Sequence, residues 1–193
     1  MNPDPPPSDR SHDNAAFVRS AVEQFQAQLL RYATRLLGDP DRARDVVQDT
    51  FVRLLAQSHE AVEGHLAEWL FTVCRNRAFD VSRKESRMKR FDEGAAERVA
   101  GGEPRPGAGL EEGEAQAAVL RLIDHLPPHQ QEVIRLKFQN GFSYKEISRI
   151  TQLSVTNVGF LIHTAIKALR SEWATTEAGG SGWRKRYAGR STT

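Results

Sequence analysis

The chain has 193 residues, 39% of them hydrophobic, and a formal net charge of +2. That length holds one ordinary domain or two small ones, and so small a net charge means that charge acts by location, not by total. A single cysteine, Cys74, excludes an internal disulfide and fits a reducing compartment, and no run of about 18 apolar residues is present to cross a membrane.

The first residues, "MNPDPPPSDRSHDN", lack an apolar signal core, and their prolines and polar side chains predict a disordered leader over residues 1–14. Helical periodicity then takes over. Phe17, Ala21, Phe25, Leu29, Ala33 and Leu36 recur at three- and four-residue steps, predicting a helix from Ala16 to Leu37 that Gly38 ends. Asp39 and Pro40 suit the N-cap and first position of a second helix, running to about Gln57. A polar stretch, "SHEAVEGH", follows. A third helix starts near His65 and runs through "LAEWLFTVCRNRAFDVSRKESRMKR".

Composition changes over residues 91–113, which are rich in glycine, proline and acids and lack an apolar period. This segment reads as a linker. Helical pattern resumes at Glu114, with Leu120, Ile123 and Leu126 on a short apolar face. "LPP" breaks it, and Pro128 suits the first turn of the helix "HQQEVIRLKF", which stops at Asn140-Gly141. Two further helices meet at a tight corner, and residues 174–193 form a basic Gly/Ser-rich tail. Strand signals are nearly absent. The expected fold is all-α: two small helical domains, residues 15–90 and 114–173, on a flexible tether.

The last two helices are well punctuated. Ser143 and Glu146 fit a capping box, Ile147 and Ile150 face inward, Gln152-Leu153 form the corner, and Ser154 caps the second helix. Val158, Leu161, Ile162, Ala165 and Leu169 share one face. Thr156, Gly159, Phe160, His163, Lys167 and Arg170 share the other. This is the pattern of a helix-turn-helix, whose second helix enters the DNA major groove. A plain helical hairpin inside a core is the competing reading, and the caps and corner length favour DNA.

Two more segments carry chemistry. In "RNRAFDVSRKESRMKR", Arg75, Arg77, Arg83, Lys84, Arg87, Lys89 and Arg90 face only Asp80 and Glu85, a balance that attracts phosphate. Trp69, Phe71 and Phe79 on the same helix either stack unpaired bases or fill the core. In "DRARDVVQDTFVRLL", Ala43, Val46, Val47, Phe51, Leu54 and Leu55 form the buried face, while Asp45, Gln48, Asp49 and Val52 line another. An acidic stripe repels phosphate. It suits either docking to a basic protein surface or plain solvation, and periodicity alone leaves both open.

These segments, in this order, resemble a bacterial sigma factor of the sigma-70 family, in its extracytoplasmic-function (ECF) group. The resemblance spans Phe17 to Arg170. It implies a transcription initiation factor, not an enzyme, acting in the cytoplasm without a cofactor. Core RNA polymerase, through its β′ and β subunits, and promoter DNA are the implied partners. Asp45, Gln48, Asp49 and Val52 match the face that binds the β′ coiled coil. Arg75, Asn76, Asp80, Arg83, Lys84 and Arg87 match the segment that opens and reads the −10 element. His59 and Glu63 lie in the loop where relatives capture a flipped base, a step that costs a few kcal/mol. Ser143, Tyr144, Lys145, Thr156, Asn157, Gly159, Phe160, His163 and Lys167 fall in the part that reads the −35 duplex. The acidic linker would follow a path near the RNA exit. Domains on a flexible tether are physically easy for an anti-sigma factor to clamp.

The chain departs from the family pattern in its recognition helix. Relatives carry Lys and Arg there, whereas "NVGFLIHTAIKALR" keeps His163, Lys167 and Arg170 as possible cations. Fewer phosphate contacts imply weaker DNA affinity with a flatter salt dependence. Phe160 can touch a thymine methyl or meet a protein partner. No phosphate loop, nucleophile elbow or metal-protease helix is present, and His125 and His129 are separated by Pro127-Pro128. A stand-alone helix-turn-helix regulator is the alternative function, but it leaves the acidic stripe and the basic helix without work.

Overall fold

The structure is a computed structural model and describes residues 7–92 and 112–177. All regular elements among them are helices: α1 (Pro7–Leu37), α2 (Pro40–Leu55), α3 (His59–Val62), α4 (Leu66–Asp92), α5 (Glu112–Asp124), α6 (Pro128–Phe138), α7 (Tyr144–Thr151) and α8 (Val155–Glu177). The chain divides into two compact units, the first built on α1–α4 and the second on α5, α6, most of α7 and α8.

In the first unit α1, α2 and α4 pack against one another. Their shared core includes Ala21, Phe25, Leu29 and Ala33 of α1, Val46, Val47 and Leu54 of α2, and Leu70, Phe71, Cys74 and Ala78 of α4. Each large side chain buried there stabilises the bundle by about 1.5–3 kcal/mol relative to exposure. Buried Thr50 breaks the apolar pattern but keeps its hydroxyl satisfied. The Thr50 hydroxyl donates to the Val46 carbonyl at 2.8 Å, one turn back. Tyr32 sets its ring 5.1 Å from that of Phe71. Phe17 and Leu36, expected as core, are half-buried at the two ends of the α1 stripe.

The junction of α1 and α2 follows from local chemistry. Gly38 takes a φ of 68°, in the left-handed region that glycine enters freely, and its N–H donates to Thr34 O at 2.8 Å. Asp39 then accepts from the N–H groups of Asp41 and Arg42 at 2.9 and 3.2 Å, and Pro40 opens α2 with no N–H to leave unpaired.

The structure differs from the sequence expectation in several places. α1 begins at Pro7, not Ala16. A proline suits a first helical position, and no glycine or further proline interrupts residues 8–37, so the last part of the expected leader continues the helix. Asn14 also ties this end down, its Nδ2 donating to Leu55 O at 2.9 Å. The polar stretch after α2 holds a one-turn helix, α3, capped by Ser58 and anchored by buried Val62. Leu55, expected on the buried face of α2, is 50% exposed. It closes the final turn, where Leu54 already fills the core. Most of the expected linker, residues 1–6 of the leader and residues 178–193 of the expected tail lie outside the described residues, whereas residues 174–177, expected in that tail, continue α8.

In the second unit α5 and α6 both pack on α8. Gln131 braces the α5–α6 corner by donating to Asp124 O at 2.9 Å and Leu126 O at 2.7 Å. Arg135 is nearly buried and pairs with Asp124 at 2.5 Å, so its charge is compensated in place. α6 ends as its sequence predicts: Gly141 has a φ of 77°, and buried Phe142 returns its N–H to Leu136 O at 3.1 Å.

Candidate polymerase and nucleic-acid interfaces

On α2, Asp45, Gln48, Asp49 and Val52 line one side at helical spacing. Asp45 and Gln48 are exposed, and Val52 is 55% exposed. Asp49 differs. Its Oδ2 is 3.1 Å from Arg53 Nε, one turn ahead, and 2.9 Å from Arg77 Nε on α4. Leu55 follows Val52 by three residues, so the stripe ends in two exposed apolar side chains. The face therefore has one carboxylate open to a partner, one already held by two arginines, and an apolar edge.

The seam between α2 and α4 carries two ion pairs of opposite polarity. Arg42 binds Glu85, and seven residues later Asp49 binds Arg77, eight residues earlier on α4. The pairs run antiparallel, as the helices require. Their consequence for α4 is selective. Glu85, an acid inside the basic segment, is neutralised by Arg42, while Arg77 is turned to α2 and away from the expected cationic cluster. Asn76, Asp80, Arg83, Lys84 and Arg87 are exposed, and Arg83 lies 3.7 Å from Asp80. Arg75 is half-buried with its guanidinium 4.5 Å above the Phe79 ring. The backbone of Lys89 and Arg90 lies within α4.

The aromatic residues of α4 separate. Phe71 is fully buried and belongs to the core, Trp69 is half-buried, and Phe79 is 38% exposed beneath Arg75. Cys74 is also core. Burial pushes its thiol up to about 12, against a smaller opposing effect of its hydrogen bond with Thr50, so it stays protonated and unreactive. His59 and Glu63 stand at the start and the end of α3, both exposed. The His59 ring lies 4.3 Å from that of Phe17, and Glu63 O is 3.0 Å from His65 Nδ1.

The second unit presents the helix-turn-helix. The capping box forms as its sequence predicts: Ser143 N–H donates to Glu146 Oε2 at 2.6 Å, and Glu146 N–H to Ser143 Oγ at 3.3 Å. Gln152 makes the corner with a φ of 62°, and its side chain donates to Arg149 O at 2.8 Å. Ser154 caps α8, accepting from the Asn157 N–H at 3.1 Å. Val158, Ile162 and Ala165 are buried beneath α8; Leu161 and Leu169 are half-buried at its margins. Thr156, Asn157, Phe160, His163 and Lys167 are exposed on its outer side, as is Lys145 on α7. Gly159 is half-covered by the Tyr144 ring. Ser143 spends its hydroxyl on the cap. Val155, at the first position of α8, is 44% exposed.

The family descriptions for sigma-70 region 2 and sigma-70 region 4 match residues 21–88 and 116–169. The ECF RNA polymerase sigma factor SigL of Mycobacterium tuberculosis is 33% identical over 165 residues, which is 81% of this chain and 88% of that protein. This chain belongs to the sigma-70 family, in its ECF group. The ECF RNA polymerase sigma factor EcfG of Rhodopseudomonas palustris is also 33% identical, over 77% of this chain and 78% of its own. In fold, the sigma factor is similar to RpoE of Bartonella quintana, solved in complex with the anti-sigma factor NepR. That match has a TM-score of 0.61 at 24% identity and covers 79% of this chain and 94% of RpoE. A sigma factor binds core RNA polymerase, directs it to promoter DNA and does no catalysis itself. No helix among the described residues is long and apolar enough to cross a membrane.

Proposed function

We propose that the two units divide the work of promoter selection by the chemistry of their exposed faces. The α2 face of Asp45, Gln48, Asp49 and Val52 docks on a basic surface of core polymerase. The exposed second half of α4, with Asn76, Asp80, Arg83, Lys84 and Arg87, holds the melted −10 strand, and His59 and Glu63 of α3 border the base taken from the stack. α8 reads the −35 duplex through Thr156, Asn157, Phe160, His163 and Lys167, with Tyr144 and Lys145 of α7 beside it. On this reading the protein works in the cytoplasm with polymerase. An anti-sigma factor is a further partner, a reading supported by the two similar folds, RpoE and CnrH, that were solved with NepR and with the cytosolic domain of CnrY.

The observation that carries this reading is the opposition of charge within the first unit. Asp45 stands open on the α2 stripe while the exposed Arg44 and Arg53 of that helix are paired with Asp41 and Asp49, and on α4 the exposed Arg83, Lys84 and Arg87 outnumber the exposed Asp80, with Glu85 paired to Arg42 across the seam. A stand-alone DNA binder gains nothing from an exposed acidic face, which repels phosphate. Run-off transcription with purified core enzyme on a promoter library tests the proposal. Initiation that depends on the added chain is the expected result. Binding to duplex promoter DNA alone, with no association with core enzyme, would leave the stand-alone regulator instead.

A further inference from the structure

The outer side of α8 has at its centre a residue that duplex recognition by charge does not call for. Phe160 is 66% exposed, the most exposed large apolar side chain among the described residues. Thr156 stands one turn before it, Asn157 beside that, and His163 one turn after, all exposed and all able to hydrogen-bond. Tyr144 adds a second ring, 40% exposed, that packs beside Gly159 of α8, where an added Cβ would be in ordinary contact, 3.6 Å from Tyr144 Cε2. Lys137 Nζ lies 5.7 Å from the centre of that ring. The face is thus an aromatic centre between hydrogen-bonding groups, on a helix whose capped start suits entry into a major groove.

In the major groove the base edges offer donors and acceptors, except that thymine also presents an apolar 5-methyl group. We infer that Phe160 is a specificity-determining residue that seats against the thymine methyl of the upstream promoter element, so that this sigma factor selects A·T pairs there by apolar contact. The inference rests on α8 being the −35 reader. A protein surface is the other possible occupant, but it would leave the hydrogen-bonding groups on both sides of Phe160 without the base edges they fit.

Replacing thymine by uracil removes the methyl and nothing else, which gives a direct test. Duplexes randomised over the upstream element are joined to a constant, pre-opened downstream half. One pool carries thymine in the upstream half and the other carries uracil. Polymerase loaded with the full-length chain selects from each pool. The expected result is enrichment of an A·T pair at a fixed upstream position in the thymine pool, by about threefold to fourfold per methyl contact. That preference disappears in the uracil pool, and in both pools with Phe160→Ala. Phe160→Leu, which keeps an apolar surface, retains part of it. Circular dichroism checks that the variants keep their helices. Equal selection from both pools, or a methyl preference that survives Phe160→Ala, overturns the inference. If neither pool shows upstream selection while the downstream half still binds, α8 does not read the −35 element, and the underlying assignment falls with the methyl contact.

Discussion

The outward faces of α2 and α8 rest on similar buried stripes and differ in what they offer. α2 presents Asp45 and Gln48 beside Asp49, whose carboxylate is already shared by Arg53 and Arg77, and ends in exposed Val52 and Leu55. α8 presents Thr156, Asn157, His163 and Lys167 around Phe160, with acids absent from its first turn. Charge acts over about 8 Å at physiological salt and guides an approaching partner. Apolar contact acts at touching distance and rewards a matching shape. The comparison teaches that the first unit is suited to steering onto a large charged enzyme, and the second to inspecting a base once steering is complete.

The largest effect expected from breaking this comparison lies beneath the α2 face. Leu54 is fully buried, and Leu54→Ala should cost about 2–5 kcal/mol in urea unfolding, disturbing the platform without altering a charge. Cys74 lies in the same core and gives a pH signature. Its folded thiol, at about 12, lies above the ordinary value of 9.0, so the unfolded chain loses its proton first as pH rises. Its contribution is complete below pH 9 and should fade between about pH 9 and 12. Alkaline unfolding followed by circular dichroism should show a decline that is smaller in Cys74→Ala.

In the second unit, Ser154→Ala removes the cap of α8 and should cost about 1 kcal/mol in thermal unfolding. It loosens the start of the reading helix while leaving Phe160 in place, which separates helix positioning from side-chain contact. The smallest effect expected is at the α2–α4 seam. Asp49 and Arg77 are 33% and 40% exposed, so a double-mutant cycle on stability should give a coupling below about 1 kcal/mol. A larger value would mean that Asp49 serves the bundle more than any partner.

Most of the helical outline was legible in the sequence because its punctuation is local. The Asp39-Pro40 start, the Gly38 and Gly141 stops, the Ser143–Glu146 box and the Ser154 cap each involve residues a few positions apart, and each forms as the spacing predicts. What the sequence hid depends on which faces meet. The Arg42–Glu85 and Asp49–Arg77 pairs join residues far apart in the chain, and nothing in either helix alone separates Arg77 from the cations around it. The buried hydroxyl of Thr50 broke the apolar period because its bond to Val46 is invisible to a pattern of hydrophobic residues. Helix α3 was missed because a single turn offers too few residues for a period. The candidate site residues came from matched motifs more than from periodicity. The structure adds that Asp45 is open and Asp49 is held, a distinction no spacing conveys.

The central claim is that the acids of α2 attach the protein to core polymerase. Equilibrium binding of labelled protein to purified core enzyme, wild type against Asp45→Lys combined with Asp49→Lys, tests it most directly. Charge reversal at that face should weaken binding on the order of a hundredfold, with helical content unchanged. Binding that persists at the wild-type level would contradict the account.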